Sequence, residues 1–270
     1  MNKTAIYALL IALLLPLTSY FIVKNLSTSA VNIPPHFYVD SVIHQSKNGK
    51  IETDTVWNKV PSVTLVNQFG KTVAWNEAKN DKGNKIVVAN FFFTSCPTIC
   101  PTLTSNMKWL QESMKKSQKV GDRTADYVQF ISFSIDPERD SVSELKKWAD
   151  RFQINPINWW LLTGDKKSIY DLCINKMKLG LVDGEGVDTS FIHTDRFVLI
   201  DRNSVIRGYY HGLDSTSIAK LSEDIVLLKL EKDKNRESFF TDKLELIGVV
   251  FLLTLVGLGV LLRILRKTKK

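Results

Sequence analysis

Lys85-Ile86-Val87-Val88-Ala89-Asn90-Phe91-Phe92-Phe93-Thr94-Ser95-Cys96-Pro97-Thr98-Ile99-Cys100-Pro101 is the stretch on which the fold turns. Its first half is a continuous apolar run of the kind that fills a central strand covered on both sides. Its second half brings two cysteines to the start of a helix, since Leu103, Met107, Leu110 and Met114 recur three or four apart over Pro101 to Lys119. Pro101 lacks an N–H and suits the first helical position, which predicts Cys100 as the N-cap. Residues before proline avoid helical dihedrals, so Cys96 to Ile99 are expected to form an irregular turn that folds the first sulfur back over the helix end. Unpaired N–H groups and the positive end of the helix dipole favour the thiolate there, the form that binds metals and attacks disulfides.

On either side of this unit the chain alternates. Ser62 to Val66 and Lys71 to Trp75 flank Asn67-Gln68-Phe69-Gly70 as a hairpin. Tyr127 to Ile135 reads as a second central strand, Val142 to Phe152 as a helix, Trp159 to Thr163 as a short strand and Lys166 to Leu179 as a helix. Arg196 to Asp201 and Val205 to Tyr210 pair across Arg202-Asn203-Ser204, and Ser215 to Glu231 closes the domain as a helix. This order predicts an α/β sheet with helices on both faces, built on a thioredoxin-like core with an added N-terminal hairpin.

Two apolar segments flank that domain. Ala5 to Val23 is a 19-residue run without a charge behind Lys3, and Leu244 to Leu265 is apolar except for Glu245 and Arg263 near its ends. At ~1.5 Å per residue the second segment reaches about 33 Å, enough to cross a bilayer. The first reads as an uncleaved signal anchor within residues 1–24, the alternative being a removed signal peptide with Thr28-Ser29-Ala30 as its cleavage candidate. Arg263, Arg266, Lys267, Lys269 and Lys270 crowd the far end of the second span, which predicts a cytoplasmic tail over residues 266–270. Both termini then lie on the cytoplasmic side of the cytoplasmic membrane. A tether over residues 25–60 and the domain over residues 61–234 lie on the extracytoplasmic, periplasmic side.

The net charge of +8 does not point to nucleic acid. Of the 36 Lys and Arg, six are Lys3, Arg263 and the four basic residues of the tail, leaving 30; of the 28 Asp and Glu, Glu245 is one, leaving 27. The remaining balance of +3 is that of an ordinary solvated surface. No Ser/His/Asp triad, phosphate loop or zinc spacing is present.

Cys96 and Cys100 are separated by three residues, one more than in a C-x-x-C oxidoreductase, which suits holding an ion between sulfurs. A stabilising disulfide is disfavoured because so short a loop constrains little chain. Spacing alone leaves metal binding and redox chemistry open. The surrounding residues, however, resemble a known family. Cys96-Pro97-Thr98-Ile99-Cys100-Pro101 after an apolar strand, Ser134-Ile135-Asp136-Pro137-Glu138-Arg139-Asp140, Trp160-Leu161-Leu162-Thr163-Gly164, and His193 ahead of Phe197-Val198-Leu199-Ile200-Asp201 together look like the Sco/SenC proteins, over roughly Pro61 to Lys229.

The resemblance implies a membrane-anchored copper chaperone of thioredoxin fold that serves the dinuclear copper site of cytochrome c oxidase. Cys96, Cys100 and His193 are then its copper ligands, the copper-accepting oxidase subunit is its partner, and a thiol-disulfide reductant keeps the pair reduced. Thiolates are soft and select Cu(I), while an imidazole completes the site and, with another donor, accommodates Cu(II). Two departures stand out. Thr98 and Ile192 occupy positions where the family commonly carries Asp, and Asp188 or Asp195 are the nearby carboxylates that would substitute. The second span is also additional to the single N-terminal anchor usual in the family. The alternative functions are a thiol-disulfide reductase, with Cys96 attacking and Cys100 resolving, and a copper or redox sensor.

Other residues read as structural. Cys173, Met107 and Met114 sit at core positions of helices. His36 and His44 belong to the tether and His211 follows the last strand. One of Trp159 and Trp160 should face inward and the other the surface, and Asp136 to Asp140 looks like a turn leading into a capped helix.

Overall fold

The computed structural model describes residues 32–47, 50–77, 79–80, 83–116, 127–179 and 194–231, together with residues 18 and 22. The chain divides into two compact units, Met1–Leu230 and Glu231–Lys270. Among the described residues no helix is long and apolar enough to cross a membrane. Apart from residues 18 and 22, both expected spans lie outside the described residues, as do Asp188, Ile192 and His193.

The strands are β1 (Val39–Lys47), β2 (Lys50–Trp57), β3 (Thr64–Asn67), β4 (Thr72–Ala74), β5 (Lys79–Asn80), β6 (Gly83–Asn84), β7 (Ile86–Phe92), β8 (Val128–Ser134), β9 (Trp159–Thr163), β10 (Arg196–Ile200) and β11 (Ile206–His211). The helices are α1 (Ile99–Lys116), α2 (Val142–Arg151), α3 (Lys166–Asp171) and α4 (Ser215–Leu230), with a π-helical turn at Leu172–Lys176. Seven strands make one sheet in the order β11-β10-β7-β8-β9-β3-β4. β7, β8 and β9 run parallel, and the outer strands are antiparallel to their neighbours. Every residue of β7 and β8 is buried, because the apolar runs carry no polar face to offer to water.

Two layers of helix enclose the sheet. On one face α1 lies over Ser132, whose hydroxyl approaches Met107 Sδ at 3.9 Å. α4 packs beside α1 and accepts the Tyr210 hydroxyl on Asp224 at 2.7 Å. Tyr209, one residue earlier and so on the opposite face, donates to the Met177 carbonyl at 2.8 Å, just past the π-helical turn.

The β3–β4 hairpin forms where the sequence places it. Gly70 closes its turn with φ +75, a conformation that glycine adopts without a steric penalty, and Asn67 Oδ1 accepts from Phe69 and Lys71 N–H. Buried Gln68 fastens the hairpin to β9, donating to Trp159 O at 3.1 Å and accepting from Leu161 N–H at 2.9 Å. Trp159 is buried and Trp160 half-buried, as alternation along a strand requires.

Two elements differ from the sequence reading. The expected helix over Lys166 to Leu179 gives way at Leu172 to the π-helical turn, closed by Met177 N–H on Leu172 O at 2.7 Å. The wider turn keeps Ile169, Leu172, Cys173 and Met177 all buried. The stretch read as a tether also contains structure. β1 and β2 pair as a hairpin, and the segments before and after it lie on the main domain. Phe37 N–H donates to Ile206 O, Asn58 N–H to Tyr38 O and Val60 N–H to Ser204 O. Buried Arg207 donates to the carbonyls of Pro34 and Pro35 and pairs with Asp201 at 3.0 Å.

Candidate metal and thiol site

Cys96 and Cys100 lie where β7 runs into α1, and both are buried and outside any disulfide, 5% and 2% exposed. Helix α1 begins at Ile99, so Cys100 stands inside the first turn and is not the N-cap expected from Pro101. Pro101 is tolerated there because the first N–H groups of a helix have no intrahelical acceptor. The turn ahead of the helix is closed by Cys96 N–H on Phe93 O at 3.2 Å. Thr98 Oγ1 lies 3.8 Å from Cys96 Sγ, so the residue that replaces a family carboxylate reaches the sulfur with a hydroxyl.

The two thiols are near enough for Cys96 to influence the ionisation of Cys100. Burial pushes the Cys100 thiol up to about 12, opposed by a backbone hydrogen bond at Phe93 and reinforced by Cys96 and by the negative charge of Asp140. The expectation that the helix N-terminus favours a thiolate therefore fails at Cys100. Desolvation of a charge outweighs the partial charges of a helix end when the sulfur is this deeply enclosed. Cys173 is fully buried in the π-helical turn, which is a core position.

Thr194 is buried, and Asp195 marks the entry to β10. Gly212 N–H donates to Asp195 O at 2.8 Å, and Asn106 Nδ2 on α1 donates to Gly212 O at 2.7 Å. The strand that follows His193 is thus tied through Gly212 to the helix that carries Cys100. The Asp195 carboxylate accepts from His211 Nδ1 at 3.2 Å and pairs with Arg196 at 3.7 Å. Arg196 Nη1 faces His211 Nε2 at 2.7 Å. A guanidinium only donates, so His211 carries its proton on Nδ1 in this arrangement. Among the described residues no three His, Cys, Asp or Glu side chains converge as a metal site, and no peptide bond is cis.

A family model described as SCO1/SenC matches residues 54–227 of this chain. The chain belongs to the Sco/SenC family. A SCO1 protein homologue of Bacillus subtilis is 32% identical over 168 residues, covering 62% of this chain and 81% of that protein. A protein of Stutzerimonas stutzeri named for copper binding is 26% identical over 155 residues, covering 56% and 68%. The structure of BsSco, a Sco-family cytochrome c oxidase assembly protein described with a disulfide switch, superposes with a TM-score of 0.52 at 27% identity, covering 73% of this chain and 100% of that one. The mixed α/β fold matches these thioredoxin-like Sco structures.

The sequence reading of this Sco/SenC protein missed Asp140, which it took as part of a turn. Ser141 does cap α2, accepting from Glu144 N–H, but Asp140 is fully buried and turned toward the cysteine junction. Its carboxylate accepts from Thr94 N–H and, at 2.5 Å each, from the Thr94 and Ser134 hydroxyls. The available signal was Asp140 six residues after Ser134, within the motif that carries the family resemblance.

Two expected results follow from this geometry. A Cβ at Gly212 would collide with Leu103 Cδ2 and meet the Asp195 carbonyl at 2.8 Å. Gly212→Ala should therefore destabilise the domain by ~1–3 kcal/mol through overpacking against backbone that cannot withdraw, as read by urea denaturation; an unchanged midpoint would contradict the close approach. The raised Cys100 thiol makes stability depend on alkaline pH. Its contribution is complete below the unfolded value of 9.0 and is lost as pH rises toward about 12, because the unfolded chain ionises first. The slope is about 1.4 kcal/mol per pH unit in that window. Tyr209 and Tyr210 are also pushed up by burial, so Cys100→Ser isolates the thiol's share. The stability difference between wild type and variant should shrink from pH 9 to pH 10.5, and parallel curves would refute the assignment.

Proposed function

We propose that this protein is a membrane-anchored copper carrier of the extracytoplasmic side, which passes copper to the dinuclear copper site of cytochrome c oxidase. The observation that carries the reading is the pair of buried, unbridged cysteines at the start of α1, a helix fastened through Asn106, Gly212 and Asp195 to the strand that follows His193. Two soft sulfur donors in an enclosed site suit Cu(I). Cys96 and Cys100 bind as thiolates, so copper capture releases protons, and the high value of Cys100 makes capture pH-dependent. His193 supplies the third ligand. A thiolate of the accepting subunit enters the coordination shell and copper passes by ligand exchange. Oxidation of the pair to a disulfide removes both donors and stops binding, a reading supported by the disulfide switch described for BsSco.

Anaerobic titration of the reduced protein with Cu(I) against a competing chelator tests this. One tightly held equivalent is expected, with proton release on loading; failure to compete with a weak chelator would remove the carrier reading. The unbridged thiol pair also supports a thiol-disulfide reductase in which Cys96 attacks and Cys100 resolves. His193→Ala separates the two, because oxidase assembly that survives it with both cysteines intact favours the reductase.

A further inference from the structure

Asp140 supplies no donor to copper in the reading above, yet it is fully buried and gathers three hydrogen-bond donors from two elements. Thr94, which gives two of them, stands two residues before Cys96. The carboxylate is itself fixed. Asp140 N–H donates to Asp136 O at 2.9 Å, Asp136 N–H donates to Ser134 Oγ at 3.2 Å, and the next residue, Ser141, is the N-cap of α2. The cysteine turn is therefore moored at Thr94 to the end of β8 and the start of α2. Within the turn itself, Cys96 N–H donates to Phe93 O at 3.2 Å, and the Asp140 bonds add a tie from outside it.

We propose that Asp140 is a positioning residue that holds the Thr94-Ser95-Cys96 turn in the geometry keeping Cys96 and Cys100 side by side as thiols. A disulfide needs its sulfurs at about 2.05 Å, far closer than two unbridged sulfurs approach. Closing that gap moves the Cys96 turn against α1, and a turn moored at Thr94 resists the movement. Releasing it shifts the equilibrium toward the disulfide. The inference rests on the Cys96–Cys100 pair being the working site and concerns how that pair is biased.

The test equilibrates the copper-free protein at pH 7 in buffers of reduced and oxidised glutathione. In each conversion the two cysteine thiols give up two electrons and two protons, and the glutathione disulfide bond breaks to give two thiols. Asp140→Asn is expected to favour the protein disulfide by about tenfold, which is about 30 mV more negative. Thr94→Val keeps the Asp140 charge and removes one mooring bond, and should shift the equilibrium in the same direction by a smaller factor. Unchanged potentials, a shift toward the thiols, or a shift confined to Asp140→Asn would overturn the proposal, the last because it would trace the effect to charge. Should Asp140→Asn not fold, Thr94→Val decides alone. Copper titration of the same samples keeps the two readings apart. Failed copper binding with shifted potentials sinks only the carrier, and intact binding with unshifted potentials sinks only the positioning role.

Discussion

Replacing either Cys96 or Cys100 by serine is expected to lower Cu(I) affinity by more than ~100-fold, beyond the 10–100-fold loss typical when only an outer-shell partner of a metal ligand is removed. A serine hydroxyl is hard and stays protonated at neutral pH, so it offers Cu(I) neither the polarisable lone pair nor the charge of a thiolate. Both cysteines are buried, so each substitution acts on an enclosed donor. Cys173→Ser is the internal control. It lies in the π-helical turn of the core, and its replacement should cost stability while leaving copper affinity within a few-fold of wild type. His193→Ala should give an intermediate loss, since two sulfurs remain. Chelator competition under anaerobic conditions reads all four variants, and retention of wild-type affinity by Cys96→Ser or Cys100→Ser would exclude the dithiolate site.

The second large effect is on stability. Arg207→Ala is expected to destabilise the domain by ~3–5 kcal/mol, because it leaves the Asp201 carboxylate buried without its cation. The pair is enclosed, the side chains being 1% and 6% exposed, and Arg207 also occupies the carbonyls of Pro34 and Pro35. Its loss frees the segment that runs into β1 as well as the charge. For a domain of this size the thermal midpoint should fall by roughly 6–20 °C. Exposed pairs such as Lys147–Glu144 should change stability by less than ~1 kcal/mol when broken. Urea denaturation of Arg207→Ala, Asp201→Ala and the double variant forms a cycle, and near-additive losses would show that the ion pair is not coupled.

Much of the architecture was readable because it depends on local pattern. The apolar run ending at Phe93 has no polar alternation, so it had to be a strand covered on both faces, and Ile86–Phe92 is buried throughout. Asn67-Gln68-Phe69-Gly70 carries its own turn chemistry, and the hairpin forms around it. Leu103, Met107, Leu110 and Met114 recur at helical spacing, and all four face the core. What the local pattern does not encode is the company a residue keeps across the fold. The segments flanking β1 and β2 looked like a lead because their partners, Ser204, Ile206 and Arg207, are remote in sequence. Asp140 looked like part of a turn because the groups it accepts from, at Thr94 and Ser134, reach it only after β7 and β8 lie side by side.

The placement of two thiols at a strand-to-helix junction, with a histidine ahead of a later strand, is a property of residue order, since periodicity and turn chemistry act over a few neighbouring residues. Their ionisation is not. Local reasoning from the helix end favours a thiolate at Cys100, whereas packing of the whole domain around that sulfur makes it a thiol up to about pH 12. Desolvation is set by everything that surrounds a group, and those surroundings come from the sheet, α1 and the Asp140 mooring assembled from distant parts of the chain.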